Sequence, residues 1–171
     1  QSANAGAANQ AAAKALEQME NAQANTAGEI QRFYNLNSLA KMALDAGEIE
    51  KARAYASALL EQSAQPRGGW DYGEAVYRGN LVLGRIALRQ GQLEAAKNYL
   101  LASAKTTGSP ALGSFGPNMS LAHELLAQGE QKTVLEFFKL CANFWKDEKL
   151  AAWTQQVNQG FMPDFGANLS N

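Results

Sequence analysis

Residues 83–99 read LGRIALRQGQLEAAKNY, and residues 39–55, 44 positions earlier, read LAKMALDAGEIEKARAY. Leu39 falls on Leu83, Ala43 on Ala87, Leu44 on Leu88, Gly47 on Gly91, Ala52 on Ala96 and Tyr55 on Tyr99. The same frame carries Pro66 onto Pro110. Alanine matches arise easily in an Ala-rich chain, but Gly, Tyr and Pro in one register do not. An apolar stripe at helical spacing (Phe33, Leu36, Leu39, Ala40, Ala43) runs into Gly47, and a second (Ile49, Ala52, Tyr55, Ala56, Leu59) runs on toward Pro66. Glycine just past a helix takes positive φ and closes the cap, and proline stops the next helix. The pattern therefore predicts helical hairpins turning at Gly47 and Gly91, with Pro66 and Pro110 ending each unit. Small residues at Ala40/Gly84 and Ala52/Ala96 allow close helix approach.

Working outward, Leu121, Ala122 and Leu125 lead to Gly129, 38 residues after Gly91, and Val134, Phe137, Phe138 and Cys141 form a further stripe. Three hairpins are about the minimum for a stable stack. Leu150, Trp153 and Val157 predict an amphipathic capping helix, stopped by Gly160, and the apolar tail with Phe161, Met162 and Phe165 is expected to pack back on the body. At the other end, Gln10 to about Asn21 predicts a helix with a thin stripe of Leu16 and Met19 that either caps the domain or frays. Residues 1–26 are assigned as a flexible or partly helical spacer and 27–171 as the repeat domain. The Ala-, Asn- and Gln-rich start has the composition of a spacer behind an export signal or lipid anchor. That predicts a periplasmic or membrane-anchored protein at a bacterial cell envelope, with a cytoplasmic location as the alternative.

Composition bounds the function. At 171 residues with 46% hydrophobic content, the chain is one domain that buries a core without staples. A formal net charge of -1 gives no whole-chain basic footprint for duplex nucleic acid. One cysteine excludes an internal disulfide and a multi-cysteine zinc site, and one histidine argues against a His-built metal centre. No apolar run has the length of a membrane span. No phosphate loop, dinucleotide fingerprint or nucleophile elbow is present, and no cofactor is expected.

Leu83-Gly84, Ala87, Gly91, Ala96 and Pro110, echoed by Leu39-Ala40, Ala43, Gly47, Ala52 and Pro66, resemble the tetratricopeptide repeat from about Phe33 to Trp145. The resemblance implies an all-α, right-handed α-solenoid of about three hairpins with capping helices at both ends. A ten-residue insertion, RGGWDYGEAV, separates the first two units. In such repeats the first helix of each hairpin faces a ligand groove. The positions so implied are Tyr34, Asn37, Lys41, Leu44 and Asp45, then Arg78, Leu81, Arg85, Leu88 and Arg89, then Met119 and His123. Lys41, Arg78, Arg85 and Arg89 would make a basic strip suited to carboxylate, since arginine's planar fork donates two parallel bonds. Asn37 with Lys41 resembles the pair by which some members clamp a peptide carboxylate, with the order of the two swapped.

Two loops are not generic repeat material: Gly68–Glu74, with Trp70 and Tyr72, and Gly113–Met119, with Phe115 and Asn118. Each is a binding rim or simply turn chemistry covering the core. His123 is expected to be a packing residue, and Cys141, between Phe138 and Trp145, a buried unreactive one. The expected function is a non-enzymatic scaffold that grips a protein or peptide, acidic or carboxylate-bearing, in the concave groove. The alternative is a small-molecule or glycan binder using the Trp70–Tyr72 and Phe115–Asn118 loops.

Overall fold

Gly47, Gly91 and Gly129 end their helices in one and the same way. In the computed structural model, which describes residues 2–64 and 72–170, their φ values are +79°, +72° and +85°. The residue after each glycine bonds back to the carbonyl five positions earlier: Glu48 to Ala43 at 2.9 Å, Gln92 to Ala87 at 2.9 Å and Glu130 to Leu125 at 3.0 Å. This is the Schellman cap, which needs a left-handed residue at the glycine. The caps close α2 (Glu29–Asp45), α4 (Tyr72–Arg89) and α7 (Ser120–Ala127) and launch α3 (Ile49–Ser63), α5 (Leu93–Ser103) and α8 (Gln131–Cys141). The remaining elements are α1 (Ser2–Ala24), α6 (Pro110–Phe115), α9 (Lys149–Asn158) and a 3-10 turn, Gly166–Leu169. Among the described residues the fold is all-helical, without a strand.

Registered positions are buried together. Ala43, Ala52, Ala87 and Ala96 are at most 3% exposed, and Leu121, Ala122, Leu125 and Val134 are fully buried in the third hairpin. Tyr55 and Tyr99 are only half-buried. The third first-helix is broken in two. Gly116, at φ +80°, turns the chain after α6, and a Cβ there would lie 2.5 Å from the Trp145 ring. Pro110 does not close α5, which ends at Ser103. It stands at the start of α6, where a missing N–H costs nothing, and Ser109 caps that helix by accepting from Leu112 N. Pro66 lies outside the described residues. Tyr72–Val76, read as part of an insertion, is the first turn of α4.

α4 is the shared wall of two cores. Ala75, Val82, Leu83 and Ile86 join Leu16, Phe33, Leu39 and Leu59 on one side. Tyr77, Leu81 and Ala87 join Leu100, Leu121, Phe137 and Trp153 on the other. Gly79 and Gly84 let the neighbours come close: a Cβ at Gly79 would lie 2.8 Å from Leu60 Cγ and 3.0 Å from the Ala56 oxygen, and one at Gly84 2.4 Å from Leu121 Cδ2. α9 caps the end through buried Leu150, Trp153 and Val157, as its stripe predicts. Beyond Gly160 the tail packs back through buried Phe165, which meets Trp153 edge-on at 4.9 Å, while Phe161 and Met162 stay exposed.

α1 lies against α2. Leu16 is 2% exposed, so along this stretch the segment is a packed helix, not a free spacer. Glu20 accepts a hydrogen bond from Tyr55 Oη at 2.6 Å and lies 2.9 Å from Lys51 Nζ. The Tyr55 bond first, then Lys51, holds the Glu20 carboxyl below its usual range. Burial first, then Glu20, pushes the Tyr55 hydroxyl up to about 12.

Replacing Gly79 with Ala gains up to about 1 kcal/mol of helix propensity but overpacks α4 on α3, at about 1–3 kcal/mol, so denaturant unfolding should show net destabilisation. Stabilisation would mean the helices are not in contact there. A second test uses pH. Because Glu20 titrates lower folded than unfolded, its contribution is present above about pH 4.5 and is lost as pH falls through the folded value. Tyr55 titrates higher folded, so its contribution holds below pH 10 and is lost as pH rises toward 12. The melting-temperature gap between wild type and Glu20→Gln should therefore be widest between these limits and shrink in acid; a gap independent of pH contradicts the pairing.

Candidate binding cleft

α2, α4 and α7 come from separate hairpins, yet α4 packs against both of the others. Where they meet is a cleft of about 180 Å³. α2 supplies Asn37, Lys41, Leu44 and Asp45; α4 supplies Arg78, Leu81, Val82 and Arg85. Asn118 and Ser120 stand at the start of α7, and Leu169 and Ser170 close one side. Arg78 and Arg85, seven residues apart, share one face of α4. Of the first-helix positions expected to face a groove, Asn37, Lys41, Leu44, Asp45, Arg78, Leu81 and Arg85 line the cleft. Tyr34, Leu88, Arg89, Met119 and His123 do not.

The basic strip is not a strip of free cations. Lys41 Nζ is 3.0 Å from Asp45 Oδ2, one helical turn on. Arg78 Nε donates to Glu74, which is 5% exposed and also accepts from Ser109 Oγ at 2.6 Å. Arg85 donates through Nε and Nη2 to Glu124 Oε1 at 2.9 and 2.7 Å, and its Nη1 is 4.0 Å from Asp45. Arg89 turns away and donates to the Leu44 carbonyl at 2.7 Å, helping to cap α2. Lys41, Arg78 and Arg85 each face a carboxylate of this chain, so the expectation of a positively charged groove is corrected. Close cations repel, and the fold supplies its own counter-charges.

Asn37 differs from its neighbours. It is 8% exposed, lines the cleft, and its Oδ1 is buried without a hydrogen-bond partner. Asn118, also buried, is a joint of the structure. Its Oδ1 accepts from Ser120 N at 2.9 Å, its Nδ2 donates to the Leu169 carbonyl at 3.4 Å, and its own carbonyl accepts from the buried Tyr77 hydroxyl. Asn168 staples the same loop, donating to the Phe115 and Pro117 carbonyls at 3.1 Å while its carbonyl accepts from Met119 N at 2.6 Å. Leu169 and Ser170 reach the cleft without any periodic signal in sequence; only the apolar character of the tail hints that it folds back.

The other candidates separate from the cleft. Phe115, 72% exposed, rims a smaller cavity of about 160 Å³ that also touches Glu74, Tyr77 and Arg78. Tyr72 is exposed at the start of α4. Trp70 lies outside the described residues. His123 is half-buried and meets Phe165 edge-on at 6.2 Å, in the aromatic cluster and not in the cleft lining. Ser120 Oγ donates to Asn118, and Glu124 is engaged by Arg85, so these neighbours of His123 are committed elsewhere. Burial pushes the Cys141 thiol well up. Among the described residues no cluster of His, Cys, Asp or Glu is placed to hold a metal, and no helix is long and apolar enough to cross a membrane. A wider, shallower groove of about 750 Å³ runs between α8 and α9, over Phe138, Trp145 and Leu150.

No family model, no curated protein and no solved structure matches this chain.

Arg85 is mostly buried and ties α4 to α7 through Glu124. Replacing it with Ala should cost about 1.5–3 kcal/mol of stability, the range for hydrogen bonds to charged groups, read by denaturant unfolding. An unchanged unfolding midpoint would show that Arg85 is a free surface cation after all.

Proposed function

We propose that this chain is a non-enzymatic binding module: a short tetratricopeptide-like α-solenoid that grips an extended protein or peptide segment where the first helices of its hairpins meet. The observation that carries the reading is the cleft itself, where residues of α2 and α4 meet the start of α7. Equivalent Schellman turns at Gly47, Gly91 and Gly129 support the repeat resemblance. The size of the cleft favours a segment over a free small molecule. Pockets that enclose drug-sized ligands run to about 300–1,000 Å³, and a cleft of about 180 Å³ admits side chains of a longer ligand. The cavity beside Phe115 is smaller still, at about 160 Å³, although its exposed ring keeps a small-molecule or glycan role there as the second reading. With the cations internally paired, attraction for an acidic partner is weaker than the sequence suggests. A bacterial-envelope location goes with this reading on the Ala-, Asn- and Gln-rich composition of the start, even though Leu16 makes part of that stretch a packed helix.

Linear peptides selected on the immobilised protein from a random library should bind through the cleft. Leu169 is 40% exposed on its wall, so Leu169→Asp should leave the melting temperature nearly unchanged while weakening binding by about tenfold, equivalent to 1.4 kcal/mol. Isothermal titration calorimetry measures this. Unchanged binding by that variant, with loss on Phe115→Ala, would move the peptide site from the cleft to the cavity beside Phe115. Failure to select any peptide would sink the segment-binding reading.

A further inference from the structure

We infer that the open groove between α8 and α9 docks an amphipathic helix of a partner protein, one whose apolar stripe is flanked by acidic residues. The inference is independent of the segment-binding reading, which concerns a cleft on other helices. The groove, of about 750 Å³, runs along α9 from Leu150 to Gln159. Leu150, Ala151, Thr154, Gln155 and Asn158 line it at helical spacing, so one whole face of α9 is turned to it. A surface helix ordinarily presents charge to water. After Lys149, α9 carries no charged residue, and its exposed positions are alanine, glutamine and asparagine. Across the groove, just past α8, stands exposed Ala142, and buried Phe138 and Trp145 form the floor with Leu150.

Shape and charge name the occupant. Small-molecule sites enclose most of their ligand, which a groove this shallow does not do. α9 has 10 residues. At about 1.5 Å per residue, its wall runs roughly 15 Å, or about three turns of a helix laid along it. Ala142 and Ala151 are small enough to let such a helix settle onto the floor, with apolar anchors at i, i+3 or i+4 and i+7. The cations at the rim lack the counter-charges that the cleft supplies to Lys41, Arg78 and Arg85. Exposed Lys139 makes no ion pair among the described residues. Lys146 donates to the Ala142 carbonyl, which leaves its charge unneutralised. Lys132, seven residues before Lys139, extends the same face of α8 and is unpaired as well. Asp147 is the one acid of the lining, and its Oδ2 lies 3.8 Å from Lys149 Nζ. The groove is thus uncharged along α9 and positive along its α8 edge, the complement of an apolar stripe with carboxylates beside it.

The probes are fluorescein-labelled helical peptides of about twelve residues with leucines at i, i+3 and i+7, carrying glutamate, glutamine or lysine beside that stripe. Fluorescence anisotropy with the intact chain reads their binding. The glutamate peptide should bind about three- to tenfold more tightly than the glutamine peptide at low salt, with the gap closing at about 1 M salt. Lys139→Glu should reverse the order of the glutamate and lysine peptides. Ala151→Trp fills the groove from an exposed position, so it should abolish binding with the melting temperature unchanged. Ala152→Trp, exposed but outside the lining, should leave binding intact. Absence of binding by all three peptides overturns the inference, as does equal affinity for the glutamate and glutamine peptides at low salt. Binding that survives Ala151→Trp, or that is lost in Leu169→Asp, places the helix elsewhere and overturns it too. A wild-type dimer in sedimentation that Ala151→Trp breaks would give the groove to a second copy of this chain. Each of these outcomes leaves the segment-binding reading standing, because none of them tests a linear peptide in the cleft.

Discussion

The structure depends on how closely α4 is approached by its neighbours. Gly79 and Gly84 lie five residues apart, so they open different faces of the helix, one to α3 and one to Leu121, Tyr99 and the Ala96 carbonyl. Side chains at either position would push a neighbouring hairpin outward. Both apolar cores use α4 as a wall, and Tyr99 packs against each of them. The cleft inherits its shape from the same constraint, because Arg78, Leu81, Val82 and Arg85 stand on α4 between α2 and α7. Burial supplies the driving force, and the two glycines decide the spacing at which it is realised.

Charge in the cleft holds helices together. The Arg85–Glu124 pair spans two hairpins, and the Arg78–Glu74–Ser109 chain ties α4 to the start of α6. Such partly buried pairs are costly to break one-sidedly, since the group left behind loses its solvent as well as its partner. The Lys41–Asp45 pair is exposed on both sides and is worth little to stability. Asn37 sits one helical turn before Lys41 on the same side of α2, and its buried Oδ1 has no hydrogen-bond partner.

The helical hairpins are legible in sequence because their signal is local. An apolar stripe ending at Ala43 and Leu44, followed by Gly47, fits within one helix length and its cap. The three turn glycines, the alanine pairs and the α9 stripe all stand where that local signal puts them. Of the first-helix positions that the repeat register points to, seven line the cleft and five, Tyr34, Leu88, Arg89, Met119 and His123, do not. What sequence does not carry is set by contacts distant along the chain. Nothing near Arg85 announces Glu124, 39 residues on, and nothing near Asn118 announces Leu169, 51 residues on. Pro110 is ambiguous for a different reason: a proline that ends one helix and one that opens the next look alike, and only Ser109 as a cap distinguishes them.

The central claim is that a bound segment lies across α2, α4 and α7. A crystal structure of the protein with a library-selected linear peptide tests it most directly. The expected result is peptide density in the cleft, in contact with Asn37 and with Val82 or Leu169 on its walls. Peptide density seated instead in the open groove between α8 and α9, over Trp145 and Leu150, with the cleft empty, would contradict it.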